Sequence, residues 1–311
     1  MNLHRLDLVS LSLFGLVARA GSISQGAALA DLAIGAASKR ISDLEAAVGA
    51  PLLERHSRGV TLTVAGQALE RHARRILADV DHLTAELSDY ASGITGVVRL
   101  WANTSAITQF LPRDIAAFVT ANPGIRIELE EENSTDVVLA VLDGRADFGI
   151  FADRTPTLGL QVMNYREDRL VLVVPQGHPL ARRRSLRFAD AIDYEIVSLS
   201  KGTSLAQRLQ TEAQALGRSL KLRIQVRSFD AMCNMVAAGL GIAVLPRDAI
   251  APQLRAMNLK QIAIEDAWAS RRLLIGLRDA AAVPRHVRLL IDQLCTPADP
   301  VRPLHRSSRR R

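Results

Sequence analysis

Lys39 and Arg40 follow Ser38 in a segment that opens with the small residues Gly35 and Ala36. Small residues let a helix approach a surface closely, and two adjacent cations can then reach phosphates or base edges. Arg55 and Arg58 recur in Glu54–Arg55–His56–Ser57–Arg58–Gly59, where they would ride beside a phosphate backbone. A second set is chemically different: Asn103–Thr104–Ser105, Ser134–Thr135, Lys201–Gly202–Thr203–Ser204 and Ser228–Phe229 stand where strands should give way to helices. Helix N-termini carry free N–H groups and partial positive charge, so hydroxyls placed there suit an anion, although Ser and Thr also cap helices with no ligand involved. No catalytic constellation accompanies them. G-x-S-x-G, P-loop and H-E-x-x-H motifs are absent, Gly239–Leu240–Gly241 precedes a strand rather than following one, and Cys233 and Cys295 form no metal or redox motif. No cofactor and no metal are expected, nor an enzyme.

The elements that must position the first set lie between Gly21 and Gly66. Ser22 and Gln25 have capping-box spacing, so a helix should begin near Ile23. Ala37, Ile41 and Leu44 make the apolar face of a second helix, whose other face shows Gly35, Ala36, Lys39, Arg40 and Asp43. Upstream, Leu6, Val9, Leu13 and Val17 predict one face of a helix closed by Gly21. Downstream, a hairpin turns at Gly59 and returns through Val60–Thr61–Leu62–Thr63. Charges and small residues on one helix alone mean only a solvated face. The whole order of capped helix, turn, apolar-faced helix, basic hairpin and Thr-capped long helix points to DNA, with the second helix entering the major groove.

The long helix should run from Thr63 to about Tyr90. Leu69, Ala73, Ile76, Val80, Leu83 and Leu87 alternate in steps of four and three, a heptad seam that predicts pairing of two chains. A helix packed only on its own domain would show a wider apolar stripe. Two DNA-binding units on a two-fold axis also read two half-sites.

The stretch from Gly21 to Gly66 resembles the winged helix-turn-helix of LysR-type transcriptional regulators, through GSISQGA, ASKRISDLE, GAPLLERHSRGVTLT and the AG that opens the next helix. The resemblance extends to about Leu294. Where the family commonly opens its recognition helix with Ser-Gln-Pro, this chain has Ala33, Ile34 and Gly35, which removes a usual N-cap and a polar base contact. The resemblance implies DNA contacts by Ser22, Ser24, Ala36, Ser38, Lys39, Arg40, Arg55, Arg58 and Thr61 on double-stranded promoter DNA, and assembly as a dimer or tetramer.

From Val97 onward β-branched runs alternate with helical patterns, which calls for α/β architecture with mostly parallel sheets. The resemblance implies an effector domain of the type 2 periplasmic-binding-protein fold, with two lobes, two crossing strands and a cleft. The expected fold is α/β overall: an all-α winged helix-turn-helix at 6–63, a linker helix at 64–92 and an effector domain at 94–295, lobe 1 being 94–163 with 269–295 and lobe 2 being 164–268. In open α/β sheets ligands sit at the carboxyl ends of strands. The expected effector set is Asn103, Thr104, Ser105, Ser134, Phe151, Lys201, Thr203, Ser204 and Phe229, for a small anionic ligand. Trp101 and Phe151 line the cleft or fill the core with equal plausibility, and His178 reads as a surface or lobe-edge residue.

Composition sets outer bounds. The chain has 311 residues, 48% hydrophobic and 23% charged, with a net charge of +7. Residues 1–92 carry nine Lys or Arg against ten Asp or Glu, so local patches rather than bulk charge must do the contacting. Residues 296–311 hold five Arg against one Asp and read as a disordered tail, either adding salt-sensitive affinity for nucleic acid or having no role. No apolar run reaches the about 18 residues a membrane span needs, and Asp7 and Arg19 argue against a leader peptide, so a cytoplasmic protein is expected. A solute-binding protein or an enzyme on the same scaffold is the rival reading.

Overall fold

The computed structural model describes residues 6–57, 59–91 and 96–295, without the side chains of 81, 82 and 85–91. Arg58, the side chain of Leu87 and the tail at 296–311 therefore lie outside the described residues.

α1 (Leu8–Ala20) starts on Asp7, whose carboxylate accepts from the Ser10 amide and hydroxyl, each at 2.8 Å, and it ends on Gly21 at φ 62. Ser22 caps α2 (Ile23–Leu29), its hydroxyl accepting from the Gln25 amide at 3.4 Å. α3 (Ile34–Val48) buries Ala37, Ile41, Leu44 and Ala47. These pack with Leu13, Phe14, Val17 and Ala27 into one small core. α1 and α2 meet at Gly26, where a Cβ would come within 2.7 Å of the Val17 Cα. The buried face of α1 is not the expected one. Val9 is 54% exposed, while Ser10, Leu11 and Phe14 are buried. Counting by three and four back from Val17 reaches Ser10, a polar residue whose hydroxyl is satisfied locally, so an apolar pattern cannot register it.

β1 (Leu53–His56) and β2 (Gly59–Leu62) form an antiparallel hairpin. Glu45 of α3 secures its base by accepting from the Leu52 and Leu53 amides at 2.8 and 3.2 Å. The Val60 amide donates to the Gly21 carbonyl at 2.9 Å, and Gly59, at φ 138, lies so close to that carbonyl that any Cβ would overlap it. The hairpin is thus fastened to the α1–α2 turn.

Thr63 caps α4 (Val64–Ala91), accepting from the Gly66 amide at 2.9 Å. Leu69 and Ala73 join the N-terminal core, Ala73 at 1% exposure. The expected seam is therefore corrected at its start: α1 already occupies those two positions. Further along, Ile76 is 42% and Leu83 55% exposed.

The remainder is α/β. In chain order it holds β3 (Gly96–Ala102), α5 (Thr104–Gln109), α6 (Leu111–Ala121), β4 (Ile125–Glu131), α7 (Ser134–Leu142), β5 (Phe148–Ala152), β6 (Gln161–Pro175), β7 (Ser185–Leu186), β8 (Ile196–Leu199), α8 (Ser204–Ala215), β9 (Leu222–Val226), α9 (Phe229–Ala237), β10 (Ala243–Pro246), α10 (Ala251–Ala256), β11 (Leu259–Ile264), β12 (Ser270–Leu277) and α11 (Arg285–Cys295). The main sheet runs β4-β3-β5-β12-β6-β11-β7, β10 also pairs with β6, and β8 and β9 pair separately. β3 is parallel to β4 and β5, but β12 is antiparallel to β5 and β6, and β6 is antiparallel to β10 and β11. The expected mostly parallel sheet is interrupted because β6 and β12 carry the chain across and back.

β6 pairs with β12 over Gln161–Arg169 and with β10 and β11 over Leu170–Pro175. The expected lobe boundary at 163/164 falls inside this one strand. One lobe is built on Val98, Leu100, Phe148, Ile150, Leu273 and Ile275, with α7 packing Val137, Val138 and Val141 on the other sheet face. The other is built on Leu170–Val174, Leu205, Leu209, Met232, Val236 and Trp268. Such cores supply most of the folding free energy, about 1.5–3 kcal/mol for each fully buried large apolar side chain.

α7 also touches the linker helix. Asp143, at its C-cap, accepts from Arg74 of α4 at 2.6 Å, and Glu70 pairs with the same guanidinium. The two carboxylates hold the Arg74 guanidinium above its usual range, Glu70 contributing most.

Candidate nucleic-acid interface and interlobe cleft

On α3, Gly35, Ala36 and Lys39 are exposed and Ser38 is half-buried. Ala33 offers no side-chain cap, so the first amides of α3 open toward whatever approaches that end. Arg40 departs from the outward orientation that its spacing suggests. Its guanidinium turns back to α1, 3.2 Å from the Ser10 hydroxyl and 3.5 Å from Asp7. The Asp7 carboxyl is held below its ordinary value, chiefly by the Ser10 amide, with Ser10 hydroxyl and Arg40 adding to it. Arg40 thus ties α3 to α1 and leaves Lys39 as the exposed cation of the pair. Ser22 bonds the Ser24 hydroxyl at 2.9 Å besides capping α2. Arg55 and Thr61 are exposed on the hairpin.

The cleft is assembled by caps. Asn103 accepts from the Ala106 amide at 3.0 Å and donates to Ser134 at 3.1 Å, and the Ser134 hydroxyl also accepts from the Ala152 amide. Both are buried, and they hold the ends of β3, β5 and α7 together. Thr104 donates to Glu131 at 2.6 Å. Thr203 caps α8, accepting from the Ala206 amide at 3.3 Å. Thr104 and Ser105 of one lobe face Thr203 and Ser204 of the other across a gap of about 20 Å³, with Leu199 and Phe229 on the second wall.

Beside that gap opens a larger cavity of about 230 Å³, lined by Thr135, Ala152–Pro156, Ser204, Gln207, Arg208, Thr211 and Arg271. Two expected residues are absent from both spaces. Lys201 is exposed and lines neither of them. Phe151 is fully buried under α7, in room left by Gly276, where a Cβ would come within 2.8 Å of its ring. Of the two alternatives for Phe151, the core is where it lies.

Arginines that sequence reasoning passed over take their place. Arg271, 5% exposed, donates through Nε to Asp168 at 2.8 Å and through Nη2 to the Ser105 hydroxyl at 2.6 Å. Asp168 Oδ1 is buried with no hydrogen-bond partner among the described residues. Arg208, on α8, is 11% exposed and lies 3.4 Å from Glu212, while Arg154, from the loop after β5, reaches the same carboxylate oxygen at 4.0 Å. Burial pulls the Arg208 guanidinium below its usual value, and the neighbouring Arg154 charge pulls the same way.

The remaining reactive groups are quiet. Burial pushes the Cys233 thiol up to about 11 and raises that of Cys295, so neither supplies a thiolate at neutral pH. His178 accepts from the Leu180 amide at 3.2 Å and packs edge-on against Tyr194. Among the described residues no group of His, Cys, Asp and Glu is placed to hold a metal, and no helix is long and apolar enough to cross a membrane.

Comparison with known proteins agrees with this layout. The family model described as "LysR substrate binding domain" matches residues 91–296, and that described as "Bacterial regulatory helix-turn-helix protein, lysR family" matches residues 8–67. A probable RuBisCO transcriptional regulator of Emiliania huxleyi is 27% identical over 274 residues, covering 86% of this chain and 87% of that protein. The HTH-type transcriptional regulator YbhD of Escherichia coli (strain K12) is 28% identical over 242 residues, covering 77% and 76%. Among solved structures, the LysR family transcriptional regulator CbnR aligns over 93% of this chain and 98% of its own, with a TM-score of 0.64 at 20% identity. The effector binding domain of QuiR in complex with shikimate aligns over 64% of this chain and 95% of its own, with a TM-score of 0.58 at 17% identity.

Proposed function

This chain belongs to the LysR family and is a LysR-type transcriptional regulator with an effector-binding domain, and from that premise we propose how its residues divide the work. α3 enters the major groove of promoter DNA by its uncapped end, with Ala36 and Ser38 at the groove wall and Lys39 reaching a phosphate or base edge. Arg55 and Thr61 lay the hairpin along the backbone, with Ser22 and Ser24 beside it. Two chains pair through α4, along Ile76, Val80 and Leu83, because Leu69 and Ala73 are spoken for by the N-terminal core. Winged domain, linker helix and effector domain divide at 6–63, 64–92 and 94–295. Within the last, the lobes part where β6 changes partners, near Arg169 and Leu170. The protein works in the cytoplasm, where its DNA is.

A small molecule in the cleft is the signal. The observation that carries this reading is the meeting of Thr104 and Ser105 with Thr203 and Ser204 across one narrow gap, since a ligand seated between two lobes favours the closed form over the open one. The QuiR effector domain in complex with shikimate supports a compact effector here as well. A solute-binding role would use the cleft and leave the N-terminal fold without a task.

The test is selection of bound sequences from a random duplex library by the full chain, at two salt concentrations. Enrichment of a two-fold site, with affinity falling steeply as salt rises, is expected. Recovery of unenriched DNA would remove the DNA-reading assignment.

A further inference from the structure

The charges around the larger cavity do not balance. Arg271 is answered by Asp168, and Arg272 by Asp153 at 3.9 Å. Arg154 and Arg208 have the single carboxylate of Glu212 between them, so this group is short of one negative charge. Arg208, 11% exposed, stands nearer to Glu212 at 3.4 Å, and Arg154, 67% exposed and 4.0 Å from the same oxygen, is the more weakly answered of the two. The shortage also spans the cleft: Arg154 follows β5 in one lobe, while Arg208 and Glu212 belong to α8 in the other. The walls add hydroxyl and amide donors from Thr135, Ser204 and Gln207, and apolar contact from Ala152 and Pro156.

We propose that this cavity takes a small organic monocarboxylate, its anionic end held by Arg208 from one lobe and Arg154 from the other. The inference rests on reading the cleft as the effector site and adds the charge and class of the effector. One carboxylate supplies the missing charge and gives Arg208 a planar partner for its planar donors. A second negative charge would meet Asp153 and Glu212, so dianions are disfavoured. Glu212 is a positioning residue: one of its carboxylate oxygens lies 3.4 Å from Arg208 and 4.0 Å from Arg154, which leaves their remaining N–H groups for the ligand. Because the two arginines come from different lobes, occupancy favours the closed arrangement.

The experiment is a thermal-shift titration of the full chain with benzoate, lactate and glycolate, each against its own amide and against malonate, at ionic strength matched with sodium chloride. At least one monocarboxylate should raise Tm while its amide and malonate do not. Arg208→Gln should shift that midpoint by at least about tenfold, the loss of one charge-assisted hydrogen bond, Arg208→Lys should keep part of the response, and Lys201→Gln all of it. Circular dichroism of the unliganded variants establishes that each is folded. Amides acting as well as acids, an undiminished response in Arg208→Gln, or no monocarboxylate distinguished from its amide overturns the proposal. Should neutral compounds stabilise the protein and change its DNA affinity, the cleft remains the effector site and only the charge assignment falls.

Discussion

Asp168 and Arg271 stand directly opposite one another on β6 and β12, the two strands that carry the chain between its lobes, and their side chains are 1% and 5% exposed. A buried ion pair adds little net stability over apolar residues of similar volume, but removing one partner leaves an unanswered charge in the interior. Arg271→Met should therefore destabilise the protein by about 3–5 kcal/mol. The double change Asp168→Leu with Arg271→Met should recover most of that loss in urea denaturation. A double variant no better than the single one would mean that the Ser105 contact, not the charge, dominates.

Lys39→Ala should weaken specific DNA binding by about 1–3 kcal/mol if the amine meets a base edge, with the melting temperature unchanged. Arg40→Ala should behave in the opposite way. It severs the contacts to Ser10 and Asp7, so a stability loss of up to about 1 kcal/mol, as for a partly exposed pair, is expected with a smaller effect on affinity. Gel-shift titrations and thermal melts of both variants separate the two roles, and equal affinity losses would put Arg40 back at the interface.

Gly26→Ala is a steric prediction. The new Cβ would lie 2.7 Å from the backbone Cα of Val17, and backbone cannot swing aside as a side-chain end can. A loss of about 1–3 kcal/mol is expected from forcing α1 and α2 apart, with DNA binding falling in parallel. Unchanged melting of a fragment that holds residues 1–91 would show that the helices re-seat freely.

Leu83→Asp places a charge at a 55% exposed position of α4. In the isolated chain the change should be nearly neutral for folding, yet across a paired seam it should dissociate the dimer. Sedimentation of the full-length variant decides the matter: a persistent dimer would place the contact elsewhere.

What could be read in advance follows the range of the interactions. Ser22, Thr63 and Thr203 cap helices through neighbours three residues away, and such local chemistry is written in the local sequence. Ser10 escaped because it is a polar residue on a buried face. The first half of β6, QVMNYRED, escaped because it alternates exposed polar residues with only a few buried ones. The arginines at the cavity were the largest omission. In sequence Arg154, Arg208 and Arg271 are ordinary surface charges, separated by 54 and 63 positions, and only long-range packing brings them around one cavity. Lys201 misled for the converse reason: it is two positions from Thr203 in the chain, yet it is exposed and lines neither space.

α7 has Ser134 and Thr135 against the cleft spaces at one end and Asp143 against Arg74 of the linker helix at the other. The two ends are nine positions apart, about 13 Å of helix. Val137, Val138, Ala140 and Val141 are buried along it and pack into the core of the first lobe. A shift of α7 along its axis at Ser134 would carry Asp143, and with it the Arg74 contact, by the same distance.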